Sequence, residues 1–102
     1  MTIKTVISEE SNTMTISIEE RFDFSLHQNF REAYSQYSNN GATFVLDLSQ
    51  TSYMDSSALG MILLLKDYAE NISGSVLIRN PNDEVNKILE IAQFHRLLVI
   101  EK

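Results

Sequence analysis

The stretch Phe44-Val45-Leu46-Asp47-Leu48 is almost continuously apolar, which suits a central strand covered on both faces better than an edge strand wetted on one. Beyond it, Tyr53-Met54-Asp55-Ser56-Ser57-Ala58-Leu59-Gly60 leads from a strand-side loop into a helix expected from about Ser57 to Asn71 and closed by Gly74. Ser75-Val76-Leu77-Ile78-Arg79 reads as a further strand. Asn80-Pro81-Asn82 then starts a third helix with the apolar stripe Val85, Ile88, Leu89 and Ala92, and Leu97-Leu98-Val99-Ile100 is a short last strand. Strand and helix alternate throughout this half, the pattern of parallel strands joined by right-handed helical crossovers.

Upstream, Ile3-Lys4-Thr5-Val6-Ile7 and Met14-Thr15-Ile16-Ser17-Ile18 alternate apolar and polar side chains, as half-buried strands do, around a hairpin turn at Ser11-Asn12-Thr13. Leu26, Phe30, Ala33, Tyr34 and Tyr37 recur at helical spacing, with Ser25 as N-cap and Asn39-Asn40-Gly41 as stop. The order is ββαβαβαβ, an α/β fold with a mixed β-sheet packed by helices. With 102 residues, one proline, three glycines and no repeat or linker, a single domain is expected to fill residues 1–102.

Composition narrows the function. A net charge of −6 opposes attraction to nucleic acid or an anionic membrane surface, so neither is an expected partner. Cysteine is absent, which excludes disulfides, thiolate metal sites and a cysteine nucleophile. The N-terminus turns acidic before it builds a signal-peptide core, and the longest apolar run, Met61–Leu65, falls far short of the ~20 residues of a membrane span. The reading is a soluble cytoplasmic domain.

In such a sheet the C-terminal strand ends and the following helix N-termini share one rim. This rim gathers Asp23, the segment 49–57 and Asn80-Pro81-Asn82. Two readings of Asp55-Ser56-Ser57 stand side by side. In one, these side chains cap the helix by accepting from its unsatisfied first-turn amides. In the other, a serine accepts a phosphoryl group, which would gain local N–H donors and change the surface charge abruptly. Ser57 is read as a cap. Asp23 is either an Asx turn or the next helix's N-terminal acid, and Asp47 either points outward or supports the loop by hydrogen bonds. Met54, Met61, Ile62 and Leu63 read as core, although an exposed methionine beside the serine would suit an interface.

A serine that catalyses needs a neighbouring base. His27 and His95 are the only histidines, each placed at a boundary, and no nucleophile-elbow glycine pattern surrounds the serines. A small esterase is therefore the remote alternative, and the chain is read as no enzyme.

Met54-Asp55-Ser56-Ser57-Ala58-Leu59-Gly60 resembles the Asp-Ser-Ser-Gly-Leu-Gly signature of STAS domains, in particular the bacterial anti-sigma-factor antagonists. Glu20-Arg21-Phe22-Asp23 is similar to that family's Gly-Glu-Leu-Asp turn, Phe44–Ser49 to its central strand, and the tail 82–100 to its last helix and strand. Ala58 and Glu20 stand where the family has glycine. Alanine says that the helix begins early; Glu20 bears on the turn's backbone and on contacts near it. Gly60 is retained, leaving the helix room to approach a neighbour.

The resemblance implies the STAS fold and a partner-switching role in transcription regulation and signal transduction, with no cofactor. Unphosphorylated, the protein would bind an anti-sigma factor that is also a serine kinase. That partner, supplying ATP and magnesium, would phosphorylate Ser56 and be released, and a metal-dependent serine phosphatase would reverse the step. Ser56 is the expected phosphorylation site, with Asp23, Met54, Asp55, Ser57, Ala58 and Leu59 as partner-binding residues. The alternative is a non-switching STAS scaffold or small-ligand-sensing module.

Overall fold

The computed structural model describes residues 3–102. Strands β1 (Ile3–Ser8) and β2 (Thr13–Ile18) form the expected antiparallel hairpin. A short strand β3 (Glu20–Phe22) and a 3-10 turn (Phe24–Leu26) lead into α1 (His27–Ser35). Then follow β4 (Thr43–Asp47), β5 (Thr51–Met54), α2 (Ser56–Asn71), β6 (Ser75–Arg79) and α3 (Asp83–Ile91). A second 3-10 turn (Phe94–Arg96) precedes β7 (Val99–Glu101).

The main sheet has the order β1-β2-β4-β6-β7, and every pair after the hairpin is parallel. This order runs in one direction with no reversal. Because βαβ crossovers are almost always right-handed, successive helices in such a sheet fall on one face. Side-chain alternation shows the result. Met14, Ile16 and Ile18 of β2, Phe44 and Leu46 of β4, and Val76 and Ile78 of β6 belong to a core shared with Phe30, Tyr34, Met61, Ile62, Leu65 and Leu89 of the helices. Val45, only 3% exposed, is buried yet stands outside that core.

The expectation that Phe44–Leu48 is covered on both faces is therefore corrected. Helices cover one face; Val45 is shielded on the other by its register neighbours Thr15 and Leu77. Strand register lays this second face out in rows. Ser8, Thr13, Thr43 and Ser75 form a hydroxyl row; Val6, Thr15, Val45, Leu77 and Val99 a mostly apolar one; Lys4, Ser17, Asp47, Arg79 and Glu101 a polar and charged one. A parallel sheet usually needs apolar side chains on both faces; here only the middle row of this face supplies them, between a hydroxyl row and a charged one. At the edge, β1 is not half-buried as its alternation suggests. Only Ile3 packs on the core, while Val6 is 67% and Ile7 46% exposed.

Helix α1 buries Phe30 and Tyr34, but ends at Ser35, before the expected stop. Asn39-Asn40-Gly41 instead turns the chain into β4, with Gly41 at a φ of +79° and the Ala42 amide donating to the Asn39 carbonyl at 3.1 Å. Tyr37, beyond the helix, is buried and donates its hydroxyl to Asn12 Oδ1 at 2.6 Å, tying α1's exit to the hairpin turn. Helix α2 begins at Ser56, as Ala58 implies, and buries Ala58, Met61, Ile62, Leu65 and Ala69. Leu63, expected in the core, is 39% exposed.

The exit of α2 is a Schellman turn: the Ser73 amide donates to Glu70 (3.0 Å) and the Gly74 amide to Ala69 (2.7 Å). Ser73, not glycine, takes the left-handed conformation, at a φ of +59°. Gly74 serves a different need, since a Cβ there would stand 2.1 Å from the Ala42 carbonyl oxygen. Gly60 has no neighbour within 4 Å of its Cβ position, so no close approach depends on it, contrary to expectation. The third helix starts after Asn80-Pro81-Asn82 as expected, and within that segment Asn82 is the cap, accepting from the Val85 amide at 2.8 Å. No described helix is long and apolar enough to cross a membrane.

The Gly74 contact meets backbone that is fixed by the Ser75 amide donating to the same Ala42 carbonyl at 3.0 Å. Gly74→Ala is expected to destabilise the fold by about 1–3 kcal/mol, the range for inserting a methyl into packed surroundings, measured as a lowered urea midpoint at unchanged slope.

Candidate functional site

Strands β3 and β5 form a second, two-stranded parallel sheet that their brevity hid from periodicity. Thr51 anchors it: buried, it donates its hydroxyl to the Ile18 carbonyl at 2.7 Å, and its own carbonyl accepts from Asn82 Nδ2 at 3.0 Å. Cap of α3, start of β5 and end of β2 are thereby joined. The entry of β3 is strained. Glu20, where the STAS pattern has glycine, adopts a φ of +67°, next to a register shift between Glu20 and Arg21. An L-residue there costs on the order of 1–2 kcal/mol.

Register pairs Phe22 with Met54, the last residues of the two strands. Each strand then runs into the same device. Asp23 Oδ1 accepts from the Ser25 amide at 3.0 Å and the Ser25 hydroxyl at 2.5 Å. Asp55 Oδ1 accepts from the Ser57 amide at 3.0 Å and the Ser57 hydroxyl at 2.5 Å, and from the Ala58 amide at 3.3 Å. Asp23-Phe24-Ser25 and Asp55-Ser56-Ser57 are thus twin Asp-x-Ser caps, set side by side by the strand pairing. Their middle residues, Phe24 and Ser56, are both exposed.

These bonds locate each expected site residue. Ser56 is the first residue of α2 and exposed, Asp55 is its half-buried N-cap, and Asp23 caps the 3-10 turn ahead of α1. Ser57 does not cap the helix with its own oxygen but orients the capping carboxylate. Ser25, expected as an N-cap, likewise donates to Asp23. Met54 (3% exposed) and Ala58 (0%) are core residues, which corrects their assignment to a partner surface: their side chains have no face to offer. Leu59 is half-buried against the core. Asp47 lies on the helix-free face and accepts from the Ser49 amide at 2.9 Å, so it points outward and also supports the loop.

Three residues of the rim escaped the sequence reading. Phe24 is 67% exposed and stacks on His27, ring centroids 5.2 Å apart. Arg21 bonds Asp23 Oδ2 through Nε at 3.2 Å while its guanidinium lies 4.2 Å from the centroid of the Tyr53 ring. The signal that finds them is the repeated Asp-x-Ser at 23–25 and 55–57, legible once both are known to follow paired strands.

Bonds from the Ser25 hydroxyl and then the Ser25 amide, with help from Arg21, hold the Asp23 carboxyl below the usual carboxylate range. At α2, the Asp55 carboxylate already occupies the amides of Ser57 and Ala58. The local N–H donors expected for a phosphate on a serine here are thereby reduced, because the Ser57 and Ala58 amides are already taken. A phosphate on Ser56 would meet two carboxylates with their cap positions filled. Among the described residues no cluster of three His, Cys, Asp or Glu could hold a metal ion.

A one-faced sheet with a short strand pair carrying acidic caps to its rim is an architecture shared with solved STAS-like structures. The chain belongs to the STAS-domain family: residues 5–100 match the family described as "Mlab, STAS domain". It is 42% identical to a STAS-domain containing protein of Pseudomonas aeruginosa (strain UCBPP-PA14), over 98% of this chain and 99% of that one. Among solved structures, a putative anti-sigma factor antagonist from Thermotoga maritima superposes with a TM-score of 0.82 at 17% identity, covering 98% of this chain and 86% of the other. The anti-sigma factor antagonist SpoIIAA in its unphosphorylated form gives 0.73 at 17% identity, covering 98% and 87%. SpoIIAA in its phosphorylated form, described as a Bacillus cell fate determinant, gives 0.68 at 17% identity, covering 98% and 91%. At that identity the likeness establishes the fold.

Two outcomes test this geometry. Glu20→Gly is expected to stabilise the protein by about 0.5–1 kcal/mol in urea unfolding, as relief of the left-handed backbone outweighs the entropy of glycine. Ser25→Ala is expected to raise the Asp23 pKa, followed by NMR of the carboxyl carbon. Because the folded pKa lies below the unfolded one, Asp23 stabilises the fold above its unfolded pKa, and that contribution fades as pH falls through the folded value. Ser25→Ala should therefore flatten the acid limb of the stability profile.

Proposed function

We propose that this protein is a cytoplasmic anti-sigma-factor antagonist, a single-domain, phosphorylation-controlled partner switch with no catalytic activity of its own. The observation that carries the reading is Ser56: exposed at the start of α2, beside one acidic cap and within another, with the neighbouring amides already bonded to Asp55. The existence of a fold relative in both unphosphorylated and phosphorylated forms supports it.

In the unphosphorylated state the rim docks on an anti-sigma factor with serine-kinase activity, which frees a sigma factor for transcription. In the partner's active site, Ser56 Oγ attacks the γ-phosphorus of ATP. The new O–P bond forms as the bond to ADP breaks, and the hydroxyl proton passes to a base of the kinase. The product carries about −1.5 to −2 additional charge units. Asp55 and Asp23 leave the phosphate unneutralised, so keeping it in a fitted, desolvated interface is opposed by like-charge repulsion. A loss of only ~2.7 kcal/mol weakens binding a hundredfold. A metal-dependent serine phosphatase resets the switch by directing water to the phosphorus. The fold need not move, because the charge itself is the signal.

Affinity capture from the native cell with Ser56→Ala as bait, then incubation of the captured protein with wild-type chain and magnesium ATP, tests this directly. Phosphate is expected on Ser56, none on Ser56→Ala, and on Ser56 still in Ser57→Ala, which distinguishes the two serines as acceptors. Ser56→Asp is expected to bind the partner at least tenfold more weakly than Ser56→Ala by calorimetry. Failure of every captured protein to phosphorylate Ser56 overturns the reading.

A further inference from the structure

Phe24 is the most exposed phenylalanine or tyrosine of the described residues, and its position is not arbitrary. It is the middle residue of one Asp-x-Ser cap, as Ser56 is of the other, and the β3–β5 register carries both caps to the same rim. Two features pre-organise it. Its backbone is held between the Asp23 cap and the bond from the Leu26 amide to the Asp23 carbonyl at 3.1 Å. Its ring is stacked on His27 at an interplanar angle of 23°. A ring fixed in this way loses little conformational freedom on binding and removes a large apolar area from water, the properties of an interface anchor. Burial is open to an aromatic ring here: the neighbouring Phe22 is fully buried and packs at a tilt against Phe30, centroids 5.2 Å apart.

Any enzyme that brings a phosphoryl donor to Ser56 Oγ must close over the same rim, so what covers Ser56 also covers Phe24. Resting on the phosphorylation reading above, we infer that Phe24 is the hydrophobic anchor by which the Ser56 kinase recognises this chain. It inserts into an apolar pocket beside the kinase's phosphoryl-transfer cleft, and the pocket's rim is basic to match Asp23 and Asp55. Phe24 touches no reacting atom; it sets affinity and specificity, while Ser56 supplies the switch.

The test uses the purified kinase obtained with the Ser56→Ala bait, magnesium ATP and full-length chain. Phe24→Ala is expected to raise both the Kd for the kinase and the KM for phosphorylation of Ser56 at least tenfold, with kcat within threefold, because binding and not chemistry is removed. Phe24→Leu, which keeps apolar bulk, should recover part of the loss. Ile91→Ala serves as control: Ile91 is 76% exposed but lies at the far end of α3, and its removal should leave Kd within twofold. Unchanged thermal unfolding separates lost docking from lost structure. Equal Kd for Phe24→Ala and wild type, with Ser56 still phosphorylated, overturns the anchor and leaves the switch intact; absence of phosphate transfer to Ser56 overturns both.

Discussion

The handedness of the strand-helix-strand crossover is the constraint on which the remaining architecture depends. Right-handed connections combined with a strand order that never doubles back force α1, α2 and α3 to one side of the sheet. One consequence is a core to which β2, β4 and β6 each contribute alternate residues, with Val45 shielded by neighbouring strands. Because β2, β4, β6 and β7 are parallel, their C-terminal ends also meet at a single rim. A sheet that reversed its order would have divided the helices, and with them the core, between two faces.

At that rim a small structural unit does the positioning. The β3–β5 pair is locked to the main sheet through Thr51 and to α3 through Asn82. Its two strands end in matching Asp-x-Ser carboxylate caps, which satisfy first-turn amides and fix the chain direction at each site. The same bonds that stabilise α2 therefore decide the electrostatics around Ser56. Amides that could have received a phosphate are bonded to Asp55 instead, so added charge finds repulsion where an open helix N-terminus would have offered attraction. Glu20 shows how firmly this geometry is imposed: a side chain other than glycine is held in a left-handed conformation to keep the turn.

Much of this was legible beforehand because it depends on local periodicity or local hydrogen bonding. The alternation in β2, the helical stripe of α3 and its start after Asn80-Pro81-Asn82 all appear where the residues place them. The Asp-Ser-Ser segment announced the start of α2, since an acid and hydroxyls at a helix entrance are self-sufficient. What escaped notice depended on partners distant in sequence. Strands as short as β3 and β5 have no readable period and exist because they pair with each other. Met54 and Phe24 look alike as apolar residues near acidic caps, yet one is buried and the other exposed, because one ends a strand facing the core and the other is the middle residue of a cap. The continuous run Phe44–Leu48 suggested two covered faces, but a buried valine needs only neighbouring side chains to exclude water.

The sequence by itself determined the alternation of strand and helix, the acidic balance, the capping chemistry at Asp55 and the serine beside it. These are properties of short stretches, where side-chain type and spacing act directly on the backbone. Tertiary structure decided which face of the sheet is covered, which apolar residues are available to a partner, and that Phe24 and Ser56 share a rim. The physical reason is that burial and juxtaposition belong to pairs of segments some thirty residues apart, and only crossover handedness and strand register bring those segments together.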